Sequence, residues 1–346
     1  MRIKGSASFI MAAVMLIQLP AFAQKSTAAF MYYRPGAVSS AMGGIGVSNF
    51  ENAYSEYFNP AGLAFSPTIT AAGSFDHPLP LFLGDAYSFV GASFNVKDLF
   101  AVGVSTNLYW KGNEAMTNSS GPLVLGLDAP FDWQGKISVA YRASPHIGVG
   151  ASVSLLETTI ADYGPLEVSG NGKSSAILFD IGIMASSLLP EGTLTIPGLS
   201  FGSPLWAWTA VPSQRGISIG ASLLNFGGKI KYIDPSRSDY PPTTLLVGAS
   251  YYPLQSDIAG LMLGIDAEKR LYDGGGLSYL HYGSELTVFR VLALRAGYFQ
   301  GTASGESSFF TFGAGIRTRF FSLNFARYVQ AILPTWQFDG TFSMEI

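Results

Sequence analysis

The chain has no cysteine among its 346 residues, only three histidines, and a charged content of 12%. The first absence excludes disulfides, thiolate metal sites, a cysteine nucleophile and a lipid anchor on cysteine. The histidines, His77, His146 and His281, lie far apart and match no metal-ligand spacing. No Gly-x-Ser-x-Gly elbow and no phosphate-cradling glycine loop is present. The formal net charge of -3 offers no basic field for nucleic acid. Long apolar runs are missing too. Beyond the first two dozen residues no uninterrupted stretch reaches the roughly 18 residues of a membrane-crossing helix, although 48% of the chain is hydrophobic. No catalytic residue, metal or cofactor is expected.

What is present explains how so much apolar surface is accommodated. From Trp336 to Ile346, Trp336, Phe338, Gly340, Phe342, Met344 and Ile346 share one parity, and Gln337, Asp339, Thr341, Ser343 and Glu345 share the other. Successive strand side chains point to opposite faces, so this segment is greasy on one side and polar on the other. Its length suits a tilted strand crossing a bilayer core. Only helices and closed barrels satisfy their own backbone hydrogen bonds in lipid, and alternation is how a barrel carries its hydrophobicity. A soluble β-sandwich is the alternative; low charge and an export signal count against it.

The export signal is read from the N-terminus. Arg2 and Lys4 precede an apolar stretch from Ala7 to Leu19, and Ala21-Phe22-Ala23 supplies a small-x-small cleavage pattern. Residues 1–23 are expected to be a signal peptide, with Gln24 the first mature residue; removing Arg2 and Lys4 takes the formal charge to about -5. The destination is the bacterial outer membrane, reached through the barrel-assembly machinery, with membrane lipid as the surrounding partner.

Alternating segments predict fourteen antiparallel strands over residues 68–346. They are Thr68–Asp76, Ala86–Val96, Leu99–Trp110, Trp133–Arg142, His146–Glu157, Ser174–Met184, Ile217–Asn225, Thr243–Tyr252, Leu261–Glu268, Leu280–Val288, Leu292–Phe299, Phe310–Arg317, Ser322–Tyr328 and the final strand. With a periplasmic C-terminus, Lys97-Asp98, Ala143–Pro145, Pro253–Ile258 and Arg290 become short periplasmic turns, and Lys111–Asp132, Thr158–Lys173, Phe226–Pro242 and Lys269–Leu277 become longer outer loops. Ala185–Arg215, with Pro190, Pro197, Pro204, Pro212, Trp206 and Trp208, breaks this asymmetry. It reads as a pair of short strands, a mobile excursion, or a partner-docking or membrane-interface flap.

Residues 24–67 do not alternate. Ala41-Met42-Gly43-Gly44-Ile45-Gly46-Val47 is small, and Asn52–Phe58 and Pro60–Ala64 read as helical turns around Asn59-Pro60. This segment is expected to fold into the lumen as a plug, with Gly43, Gly44, Asn59, Pro60 and Gly62 its key positions; Asn59 is its anchor, since its side chain can satisfy backbone groups ahead of Pro60. N-terminal disorder is the alternative.

These residues carry a resemblance. Ala41–Val47 followed by Tyr57-Phe58-Asn59-Pro60-Ala61-Gly62-Leu63-Ala64 is similar to the N-terminal signature of FadL-like outer-membrane proteins. Gly220–Tyr232, Pro241–Tyr251, Gly283-Ser284-Glu285, Leu294–Tyr298 and Phe312–Ile316, in that order, resemble the PorV/PorQ branch. The resemblance implies a fourteen-stranded barrel with its N-terminal segment in the lumen. For FadL relatives it implies passage of hydrophobic molecules such as long-chain fatty acids; for PorV relatives it implies a part in type IX protein secretion. The chain departs from the pattern in ending on Ile346, where an aromatic is common.

Charges cannot face lipid cheaply: Arg or Lys at midplane costs about 2–4 kcal/mol. Lys136, Arg142, Asp180, Asp266, Glu268, His281, Glu285, Arg295 and Arg317 are therefore assigned to the lumen, either as salt bridges between wall and plug or as a guide for a solute headgroup. Arg295 and Glu285 are expected to pair. In the first outer loop Leu79, Leu81, Phe82 and Leu83 form an apolar patch, suited to landing a lipid-like solute, docking a protein or packing across the mouth. Two functions follow as expectations: transport of a hydrophobic small molecule, and binding of a secreted protein in type IX secretion. An outer-membrane hydrolase, with Asp, His and Ser meeting across the barrel, is the remote third.

Overall fold

The structure, a computed structural model, describes residues 27–49, 53–79, 84–96, 99–112, 114–118, 121–128, 130–159, 173–188, 216–231, 238–256, 258–272, 276–302, 306–329 and 335–345. The expected signal peptide, Leu81, Phe82 and Leu83 of the apolar loop, and both tryptophans of the 185–215 connection lie outside these residues.

Fourteen antiparallel strands close into a barrel. In chain order they are β1 Ile69–Asp76, β2 Asp85–Val96, β3 Phe100–Lys111, β4 Phe131–Ser144, β5 Ile147–Thr159, β6 Lys173–Ala185, β7 Gly216–Gly227, β8 Thr244–Gln255, β9 Ala259–Arg270, β10 Tyr279–Val288, β11 Leu292–Gly301, β12 Phe309–Arg317, β13 Phe321–Val329 and β14 Trp336–Met344. Each pairs with its neighbour in sequence, and β14 closes the ring on β1 from Ile69 opposite Met344 to Asp76 opposite Gln337. Closure leaves no sheet edge unpaired, which a backbone in lipid requires. All fourteen segments of alternating sequence form strands at the expected places.

The parity sorts residues as lipid and lumen demand. Ile137 is 55% exposed while Lys136, one position earlier, is 5% exposed. Val90, Ile181, Leu323 and Phe338 lie on the exposed face, and Asn107, Gln134, Asp180 and Asn324 on the buried one. A hydrophobic surface outside and a polar interior invert the soluble arrangement, as a membrane barrel must. Connections at one end are short, as between β2 and β3, β4 and β5, β10 and β11, and β12 and β13. At the other end they are longer, and the stretch read as one loop between β3 and β4 holds a further hairpin, Glu114–Asn118 with Gly121–Asp128.

Ahead of β1 the chain is short-range helical: a 3-10 turn Ala29–Tyr32, helix α1 Ala37–Ala41, helix α2 Ser55–Phe58 and a 3-10 turn Pro60–Phe65. The sequence reading placed only the last two. Helix α1 comprises small residues, Ala-Val-Ser-Ser-Ala, packed beside β13, β12, β11 and β14. Among the described residues no helix is long and apolar enough to cross a membrane.

Candidate functional site

Residues 27–66 reach every strand of the barrel from its inner side. Ser74 of β1 accepts from the backbone of Gly36, Asn95 of β2 donates to the carbonyl of Ser66, and the Pro60–Phe65 turn packs on β3 and β5. Ser138 of β4, Ser222 of β7 and Ser250 of β8 donate to Glu56, Phe58 and Ser48. Helix α1 lies beside β11, while Thr311 of β12, Tyr328 of β13 and Gln337 of β14 bond to Gly43, Ser40 and Arg34. The strands leave room by presenting glycines inward. A Cβ at Gly220 would lie 2.3 Å from the Val47 carbonyl oxygen, and one at Gly297 would lie 2.0 Å from the Gly43 nitrogen.

Two local features shape the segment. Gly43 and Gly44 both have positive φ, +69° and +85°, which L side chains seldom adopt. They reverse the chain directly against β10 and β11, where a Cβ on Gly43 would lie 2.4 Å from the Tyr282 carbonyl oxygen. Asn59 then ties the segment together: its Oδ1 accepts from Ala61 N at 3.1 Å, and its Nδ2 donates to the carbonyls of Val47 and Ile183, each at 3.0 Å. Pro60 starts the following turn without a donor to satisfy, and Gly62 N closes it on the Asn59 carbonyl at 2.9 Å.

Of the charges that the sequence assigned to the lumen, all but Arg142 fall into three interior groups. In the first, Arg34 bonds Glu268 and the Gly44 carbonyl, and its Nη2 lies 3.1 Å from His281 Nε2. His281 Nδ1 is 2.8 Å from the Gly43 carbonyl oxygen, and Asp266 accepts from Gly46 N and Val47 N at 2.7 and 3.1 Å. In the second, Lys136 Nζ lies 2.6 Å from Asp180, which also accepts from Asn225 N where the β6–β7 register shifts. Glu56 joins this group through Ser138 at 2.8 Å; burial pushes its carboxyl up to about 7. In the third, Arg295 pairs with Glu285 at 2.6 Å, and Arg317 stands 3.6 Å from the other carboxylate oxygen. Arg142 lies apart, near the short-turn end, with its guanidinium 5.2 Å from the centre of the Phe65 ring.

At the long-loop end one part of the interior is an apolar cluster. Tyr87, Tyr109, Leu156 and Leu178 project inward from β2, β3, β5 and β6 and pack around Phe30 and Met31, with Ile230 completing the cluster. Phe30 stacks on Tyr109 with centroids 6.4 Å apart, and Tyr33 meets the Tyr87 and Tyr109 rings edge-on. Burial pushes the Tyr33 hydroxyl up as well. The chain thus fills with its own side chains the space between these strands.

Comparison with solved structures bears on this architecture. The CymD monoaromatic hydrocarbon channel aligns over 90% of this chain and 98% of its own at 14% identity, with a TM-score of 0.55. The toluene transporter TbuX of Ralstonia pickettii aligns over 89% and 96% at 13% identity, TM-score 0.52, and TodX of Pseudomonas putida over 89% and 96% at 14%, TM-score 0.52. The likeness is one of fold, a closed fourteen-stranded antiparallel barrel shared with these channels. No family model matches the chain, and no curated protein matches it in sequence.

Sequence reasoning did not single out Arg34, Glu56, Phe30, Met31 or Tyr87. A signal for Arg34 was available: between Lys25 and Lys97 it is the sole cation, and one isolated charge in an apolar stretch calls for a partner. Nothing local marks Phe30 and Met31, because the space they fill is made by four distant strands. Among the described residues no group of three or more His, Asp or Glu side chains is placed to hold a metal.

Proposed function

We propose that this protein is a non-enzymatic, FadL-like outer-membrane channel that passes hydrophobic small molecules, with the 27–66 segment as its plug. The observation that carries this reading is the buried apolar cluster that Tyr87, Tyr109, Leu156 and Leu178 of the wall form at the long-loop end of the barrel. A pore for water or ions has no use for it; an apolar solute would gain about 25 cal/mol for each Å² of apolar surface it buries there. The solute enters from the outer face by displacing Phe30 and Met31, and the plug must shift for it to continue. Neighbours of the same fold are described as monoaromatic hydrocarbon channels and toluene transporters, which supports a hydrophobic cargo.

Uptake of radiolabelled ethylbenzene into proteoliposomes tests the proposal, with Leu156→Glu placing a charge in the cluster. Uptake above protein-free vesicles that falls in the variant is expected. Equal uptake by wild type, variant and protein-free vesicles sinks it. The second reading, a PorV/PorQ-type component of type IX secretion, rests on the ordered motifs from Gly220 to Ile316. It predicts a secreted protein co-purifying with the barrel and no solute uptake.

A further inference from the structure

Around the long-loop end of the barrel one row of inward-facing side chains runs across five strands. Cross-strand pairing sets Gln337 opposite Asp76, Asp76 opposite Tyr87, Tyr87 opposite Tyr109, and Tyr109 opposite Asp132. Asp85 shares the inward parity with Tyr87 two residues earlier on β2. Relative exposure is 0% for Gln337, 5% for Asp76, 1% for Asp85 and 0% for Tyr87. In these buried positions Asp76 Oδ1, Asp85 Oδ1, Gln337 Oε1 and the Tyr87 hydroxyl have no hydrogen-bond partner. The Gln337 amide oxygen can only accept, as can the two carboxylates when ionised. Buried polar groups are ordinarily satisfied, and one that is not calls for an explanation.

The nearby cationic donors are engaged elsewhere. Lys111, directly opposite Asp85, turns to Asp132 at 2.9 Å and to the Thr159 carbonyl. Arg34 is held by Glu268 and the Gly44 carbonyl, and the Gln337 amide nitrogen donates to the Arg34 carbonyl at 2.9 Å. Leu79 N donates to Asp85 Oδ2 at 2.8 Å, while His77 Nδ1 sits 2.5 Å from the Asp85 carbonyl oxygen and 4.0 Å from Oδ1. The surplus of acceptors adjoins the aromatic wall, since Tyr87 and Tyr109 belong to both and Tyr33 meets both rings at 5.8 and 5.2 Å.

We propose that this row is the headgroup site of the channel, and that its preferred solute is an aromatic molecule bearing a protonated amine. An ammonium group brings three donors and a positive charge to acceptors that lack both, and tyrosine faces attract cations. A carboxylate of the same shape brings further acceptors and like charge, so fatty and aryl acids are disfavoured. The proposal rests on the channel reading above and narrows its substrate class.

The test is equilibrium dialysis of the detergent-solubilised full chain at neutral pH with three labelled probes of matched size: phenethylamine, ethylbenzene and 3-phenylpropanoate. Phenethylamine is expected to bind roughly tenfold or more tighter than 3-phenylpropanoate, as one charge-assisted hydrogen bond suffices for that ratio. The preference should collapse in Asp76→Asn/Asp85→Asn and grow in Gln337→Glu, with folding of each variant checked by heat-modifiable gel mobility. The wild-type ranking stands even where a variant does not fold. Equal or tighter binding of 3-phenylpropanoate overturns the proposal, as does a preference that persists in the double variant. Calcium that binds the wild type and excludes phenethylamine also overturns it, by making the row a metal site. Ethylbenzene bound without preference for the amine removes the headgroup site and leaves the channel reading intact. Failure of all three probes to bind removes both.

Discussion

Glu285 on β10 and Arg295 on β11 are direct cross-strand partners, and Arg295 Nε donates to Glu285 Oε2 at 2.6 Å inside the barrel. Arg295 Nη1 also donates to Asn324 at 2.9 Å, and Arg317 approaches the second Glu285 oxygen. Both charges of the pair are nearly inaccessible, so each exists in the folded barrel because the other does. Removing one partner of a buried ion pair typically costs about 3–5 kcal/mol, most of it from the charge left behind. Glu285→Ala removes the carboxylate that both Arg295 and Arg317 face, whereas Arg295→Ala leaves Glu285 with Arg317. Urea unfolding in detergent should therefore show Glu285→Ala as the more destabilising change, and the reverse order would disprove this account of the group.

Gly43→Ala is expected to unseat the N-terminal segment. The φ of +69° is unfavourable for alanine, and the new Cβ would lie 2.4 Å from a strand carbonyl oxygen that cannot move without breaking the wall. Higher single-channel conductance in planar bilayers, with barrel stability nearly intact, is the expected pattern; unchanged conductance would mean that the segment does not limit passage.

At Asn59 the chemistry of the replacement matters more than its size. Alanine leaves the Val47 and Ile183 carbonyls unsatisfied, at about 1–3 kcal/mol for each buried group. Aspartate keeps the bond from Ala61 N and turns an acceptor toward both carbonyls. Amide exchange across residues 43–66 should rise in Asn59→Ala and rise further in Asn59→Asp; a milder effect for aspartate would contradict the bonding pattern.

Seating of the segment should also depend on pH through Glu56. Its carboxyl is raised from 4.5 to about 7 by burial, against the opposing pull of Ser138 and Lys136. A group whose pKa is raised in the packed state supports that state fully below its free value and loses this support as pH climbs through the raised one. Seating is thus firmest below about 4.5 and weakens between there and about 7, by roughly 3 kcal/mol at most. Protease protection of residues 43–66 should fall over that window in the wild type and stay flat in Glu56→Gln. A flat wild-type profile would rule out this role for Glu56.

The sequence by itself determined the strands and the alternation of apolar and polar side chains along each. These are local properties: a period of two is written into ten residues at a time, and membrane solvation leaves one choice of face. The Asn59-Pro60 turn was legible for the same reason, since capping acts within a few residues. Tertiary structure alone decided the rest. Arg34 meets Glu268 across 234 positions of sequence, and Asp76 stands opposite Gln337 because the last strand closes on the first. The apolar cluster around Phe30 likewise gathers side chains from β2, β3, β5 and β6. Such meetings depend on closure and register around the whole ring, and no short window of sequence encodes them.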